Sequence, residues 1–82
     1  MDDTAKEQVI LIILAEQEGG LTAKQVSKLT AQYQAPVSVR DVSARLQHLM
    51  TRRYVVQDLK DPLKWHITPE GIKWAEQNRR KK

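Results

Sequence analysis

Between Val39 and Arg52 the chain reads VRDVSARLQHLMTR, and its polar residues are of the types that recognise nucleic-acid base edges. At about 100° per residue, Val39, Val42, Leu46 and Leu49 form one apolar stripe, which turns Ala44 outward, flanked by Arg40, Gln47, His48 and Thr51. An Arg fork matches guanine O6 and N7, a Gln amide matches adenine N6 and N7, and a small Ala lets a helix approach a thymine methyl. Arg40, Ser43, Ala44, Gln47 and His48 are therefore the candidate base-reading set. Lys24, Lys28, Arg45, Thr51, Arg52, Arg53, Lys60 and Lys64 are candidates for phosphate contacts, which position a protein without specifying sequence. The same residues would also serve as a solvated helix face. Asp41 would repel a phosphate, so it is assigned to capping its own helix or pairing with Arg45 one turn on.

Other chemistries find little support. His48 and His66 have no second ligand at metal-binding spacing, and there is no cysteine to supply a thiolate. Three glycines leave no phosphate-cradling loop, and a domain of 82 residues is too small to hide a nucleophile, base and orienting group from water. The expectation is no enzyme, no cofactor and no metal, and a small-molecule effector is not indicated.

Helix starts are legible. Thr4 to Glu7 and Thr22 to Gln25 fit the capping box, Ser38 to Asp41 is a shorter-armed version, and Thr68-Pro69-Glu70 combines an N-cap, a proline at the first helical position and an acid at the positive helix end. The predicted helices run from about Ala5 to Glu18, stopped by Gly19-Gly20, then Ala23 to Tyr33, Val39 to Arg52 and Pro69 to Asn78. Leu21 is a short extended step, and Pro36 breaks the chain between the second and third helices. Tyr54 to Val56 and Lys64 to Thr68 have strand patterning around the turn Asp58 to Leu63. Trp65 and Ile67 would pack beneath this hairpin, while Tyr33 and Tyr54 read as core with their hydroxyls reaching solvent.

The first helix contains Val9-Ile-Leu-Ile-Ile-Leu14, apolar on every side, and helices apolar all round are buried all round. In so small a domain a second chain is the expected cover, which makes Val9, Ile10, Ile13, Leu14 and Trp74 candidate dimer residues. Trp74 has an alternative place at the rim of the fold.

Charge is unevenly spread. Residues 1–20 hold five acids against one base, 21–58 six bases against two acids, and 59–82 seven bases against three acids, closing on a basic tail at 79–82 expected to fray. A net charge of +4 so distributed favours a polyanion on one face. The longest apolar run has seven residues, against about 20 needed to span a bilayer, and the acidic start is not an export signal. The expected location is cytoplasmic, nucleoid-associated when on DNA, with no membrane partner.

LTAKQVSKLT, SVRDVSARLQHLMTRRYV and WHITPEGIKWAEQ together resemble small bacterial and archaeal winged-helix transcription regulators of the MarR and PadR types, over about Leu21 to Gln77. The resemblance implies an α+β, mostly helical winged helix-turn-helix over residues 1–82, with a three-helix core, a two-stranded wing and a C-terminal helix. It also implies a homodimeric, sequence-specific regulator that places helix 39–52 in the major groove of duplex DNA and wing 54–68 near the backbone and minor groove. Two departures stand out: Arg53 where those families usually have glycine, and a short wing offering only Lys60 and Lys64. The alternatives are a winged helix used as a protein-interaction or assembly module, and a plasmid- or phage-type factor that binds DNA for replication or partition.

Overall fold

Each helix start expected at Thr22, Ser38 and Thr68 is made by a side chain that accepts an orphan amide proton. Thr22 Oγ1 accepts from the Gln25 amide at 3.2 Å while Gln25 Oε1 accepts from the Thr22 amide at 2.9 Å, a complete capping box. Ser38 Oγ accepts from Asp41 at 3.2 Å and Thr68 Oγ1 from Gly71 at 3.0 Å. The computed structural model describes residues 3–17, 19–33 and 36–79. They form α1 (Asp3–Glu16), β1 (Leu21–Thr22), α2 (Ala23–Thr30) with a 3-10 turn (Ala31–Tyr33), α3 (Val39–Thr51), β2 (Val55–Gln57), β3 (Lys64–Ile67) and α4 (Pro69–Arg79). The fold is α+β and mostly helical. Of the basic tail, residues 80–82 lie outside the described residues.

The β2–β3 hairpin forms and does not stand alone. β1 adds to its free edge, giving an antiparallel sheet of order β1-β3-β2 with Leu21 opposite Trp65 and Val55 opposite Ile67. This third strand is only the extended step before the α2 cap, which ties the hairpin to the start of α2. Gly19 and Gly20 reach it with φ of 91° and 85°, and a Cβ on Gly20 would come within 2.8 Å of the His66 ring.

Several expectations fail for physical reasons. Thr4 is no cap, because α1 begins at Asp3, and Glu7 turns inward to Arg45 Nη1 at 3.7 Å. Ile10, Ile13 and Leu14 are buried inside this chain and are not available to a second copy. α1 packs against α2, α3, α4 and β3, so one chain alone wraps most of its girth. Val9 and Ile12 remain half-buried. Trp74 is also half-buried, its ring lying 5.8 Å from that of Tyr54 in the same chain. Tyr33 is a surface residue, its hydroxyl donating to Glu16 Oε1 at 2.5 Å, because the tighter 3-10 turn rotates it off the stripe begun by Val26 and Leu29.

The connection from α2 to α3 is anchored by small hydroxyls. The buried Thr30 Oγ1 accepts from the Val37 amide at 3.0 Å, and Ser27 Oγ donates to the Val37 carbonyl. At the other end of α3, Tyr54 N–H bonds the Leu49 carbonyl at 3.0 Å and Arg53 N–H the Met50 carbonyl at 2.9 Å. This is the Schellman arrangement, with Arg53 at φ 68° in the position that glycine usually fills. A left-handed non-glycine residue costs about 1–2 kcal/mol. Arg53→Gly is expected to raise stability by roughly 0.5–1 kcal/mol, part of the relief being offset by chain entropy, and to shift the melting temperature up by about 3–6 °C in thermal denaturation.

The hairpin turn is organised by one carboxylate. Asp58 Oδ1 accepts from His66 Nε2 at 2.8 Å, and its Oδ2 accepts from the Asp61 and Lys60 amides at 2.9 and 3.0 Å. The His66 bond, then the Asp61 and Lys60 amides, hold the Asp58 carboxyl below its ordinary value. A carboxylate whose folded pKa is depressed stabilises fully above its unfolded value, and that stabilisation disappears as pH falls through the lower folded value. The Lys60 and Asp61 amide resonances, followed from about pH 5 to about pH 2, are expected to shift with a midpoint below that of an ordinary aspartate. An ordinary midpoint would mean the turn is not held this way.

Candidate nucleic-acid interface

α3 is buried along Val42, Leu46 and Leu49, but Val39, expected on the same stripe, is 44% exposed. It occupies the first turn of α3 and lies on the flank that lines the groove with the hairpin. Arg40, Ala44, Gln47, Arg52 and Arg53 are exposed and Ser43 half-buried, so the expected reading face is open to solvent. His48 is exposed as well, yet leans to the α1 flank, with Nε2 4.0 Å from Glu7 Oε2.

Two expected phosphate contacts are committed elsewhere. Arg45 lies between Glu7 Oε2 at 3.7 Å and Asp41 Oδ1 at 3.8 Å, with its side chain three-quarters buried. Thr51 donates its hydroxyl proton to the Gln47 carbonyl at 3.0 Å. The pairing of Asp41 answers the repulsion problem: Lys6 Nζ sits 2.9 Å from its Oδ2, so the acid on this helix is neutralised before any ligand arrives. Lys24, Lys28 and Lys60 are exposed and Lys64 is half-buried.

The arrangement sequence reasoning missed is an open groove of about 510 Å³ between the N-terminus of α2, α3 and the hairpin. Val39, Ser43 and Gln47 line it from α3, Thr22, Ala23 and Lys24 from the start of α2, and Gln57, Pro62, Leu63 and Trp65 from the hairpin. Among the described residues no carboxylate lines it, and Lys24 is the one charged residue in the lining. Smaller grooves along α4 are lined by Glu16, Glu70 and Glu76. No protein family, curated protein or solved structure matches this chain. What the groove can do is therefore argued from its own chemistry. A concave surface free of acids, rimmed by Lys24 and continuous with the Arg40 and Gln47 face, suits a polyanion that also offers apolar and amide-bonding edges. Among the described residues no three His, Asp or Glu side chains gather as a metal site.

Gly71 is a second residue that escaped notice. A glycine in the third position of a helix costs about 1 kcal/mol relative to alanine, which is a signal that something else requires it. Here the first turn of α4 sits directly on the Tyr54 carbonyl. This contact sets where the hairpin and the Arg53 turn lie relative to the rest of the fold.

Proposed function

We propose that this chain is a winged helix-turn-helix protein that binds duplex DNA sequence-specifically as a homodimer and regulates transcription. In this reading α3 enters the major groove and the β2–β3 hairpin lies near the backbone and minor groove. The observation that carries it is the groove joining the outward row of α3 to the start of α2 and the hairpin, whose lining among the described residues holds Lys24 and no acid. The element order and the three-stranded sheet are compatible with a wing. Because Ile10, Ile13 and Leu14 are used by the chain's own core, the pairing surface falls on what α1 and α4 leave open, including Ile12, Ala15 and Ile72.

Fluorescence anisotropy of a labelled mixed-sequence duplex, titrated at several salt concentrations, tests this reading. Lys24 lines the groove, and Lys28, Arg40, Arg52, Arg53 and Lys60 are exposed on α2, on α3 and its C-terminal turn, and on the hairpin turn. If each neutralises one phosphate, the log–log salt slope is about −5 per protomer, with a Kd near the micromolar range at moderate salt. Arg53→Gly then has two opposed effects: it raises stability, as above, and removes about one unit from the salt slope. Absence of binding at about 50 mM salt would remove the proposal.

A second reading, a winged-helix module that docks on another protein, has its own support. Leu59 is 101% exposed and Leu63 72% exposed at the hairpin tip, with Val56 beside them. A protein that fails to bind duplex but whose partner binding is lost on Leu59→Ser would establish that reading instead.

A further inference from the structure

Val39, Ser43 and Gln47 stand at i, i+4 and i+8, so they form one row along α3, and all three line the same groove. The first is a valine held out of the core at the very start of the helix, and it is 44% exposed. The row therefore offers, in order, two methyl groups, a hydroxyl and an amide. The described residues that line the groove include no acid, and Lys24 lines it from the start of α2. In the major groove the thymine 5-methyl is the one apolar feature of the base edges, and adenine alone pairs its N7 acceptor with an N6 donor, the complement of a Gln amide.

Resting on the DNA-binding reading above, we infer that the row Val39–Ser43–Gln47 reads an A·T-containing half-site, with Val39 against a thymine 5-methyl and Gln47 on an adenine. Recognition helices contact base edges mainly through their N-terminal residues, and Val39 is the first residue of α3. Val39 packs on the methyl and thereby withdraws it from water, Ser43 adapts to either pair, and the small Ala44 on the neighbouring row permits close approach. Arg40, one residue on from Val39 and exposed, extends the contact toward a guanine or the adjoining phosphate.

The test starts from a duplex chosen by site selection out of a random pool with the full chain. That duplex is then compared with copies in which single thymines are replaced by uracil, which lacks only the 5-methyl. The wild type is expected to lose about fourfold in affinity at one thymine per half-site, the effect of one buried methyl. Val39→Ala is expected to bind the thymine duplex about fourfold more weakly per half-site, roughly 16-fold for the dimer, and to be indifferent to the uracil replacement, since its partner for the methyl is gone. Gln47→Ala is expected to lose roughly 5- to 100-fold and to relax selection at the adenine position. Both residues are exposed or rim positions, and unchanged thermal denaturation of each variant establishes that it folds. The inference is overturned if every uracil copy binds like the parent, or if the selected half-site has no A·T pair. In either case persisting salt-dependent binding leaves the DNA-binding reading intact, whereas no binding to any duplex removes both.

Discussion

Gly71→Ala is expected to lower the melting temperature by about 10–20 °C, a loss of roughly 2–3 kcal/mol in a domain of this size. An added Cβ would overlap the Tyr54 carbonyl oxygen and come within 2.8 Å of Ile67 Cγ1. Neither neighbour is free to give way. The Tyr54 carbonyl accepts the Thr68 amide at 3.0 Å, and Thr68 Oγ1 donates to the Arg53 carbonyl at 2.7 Å while accepting from Gly71. To make room, the first turn of α4 would have to lift off the α3–β2 connection and break those bonds. Gly19→Ala is the control: nothing lies within 4 Å of its Cβ, so only the strain of φ 91° is incurred, about 1–2 kcal/mol. If Gly71→Ala melted no lower than Gly19→Ala, the close packing of α4 on Tyr54 would be wrong.

Arg45→Met is the second change with a large expected effect, a loss of about 2–3 kcal/mol in urea or thermal denaturation. It keeps the apolar stem and removes the guanidinium. Glu7, 5% exposed, would then hold a buried carboxylate that has lost its arginine, with His48 Nε2 at 4.0 Å. Breaking a buried ion pair by removing one partner costs about 3–5 kcal/mol, and the one-quarter exposure of the Arg45 side chain reduces that figure. Combining it with Glu7→Gln is expected to recover about 1 kcal/mol or more of the loss, because the stranded charge is removed as well. The pair also separates two roles for Arg45. A residue that served phosphate contact would leave the melting temperature unchanged when replaced and would reduce the salt slope. Arg45→Met is expected to do the reverse, and Arg52→Ala to behave as a phosphate contact.

The difference between Arg45 and Arg52 shows where sequence reading stops. A 100° wheel puts Arg45 at the edge of the polar face of α3, where an arginine can turn either way. Glu7 decides the direction, and it lies far away in the sequence on α1. The same limit applies to Val39. Its spacing matches Val42, Leu46 and Leu49, but the wheel carries no information on which elements cover each part of the stripe, and Val39 is left lining the groove with Ser43 and Gln47. α1 shows the converse error. Its apolar girth was legible, and so was the need to bury it. How many elements of one short chain can wrap it is not written in the helix itself: α2, α3, α4 and β3 already cover Ile10, Ile13 and Leu14, for which the pattern alone implies a partner.

Local chemistry determined what local chemistry can. The caps at Thr22, Ser38 and Thr68, the stop at Gly19-Gly20, the Pro36 break and the Asp58 turn each depend on residues a few positions apart, so the order and approximate ends of the helices and the hairpin are legible in the chain. Which residue types could meet a nucleic acid is legible there as well. Tertiary structure alone decided that β1 completes a sheet with β3, that Arg53 takes a left-handed conformation without glycine, and that Gly71 makes room for a carbonyl. It alone brought Val39, Ser43, Gln47, Lys24 and the hairpin around one groove. These are contacts between elements distant in sequence, set by packing, and packing is a property of how several faces fit together that no single face carries.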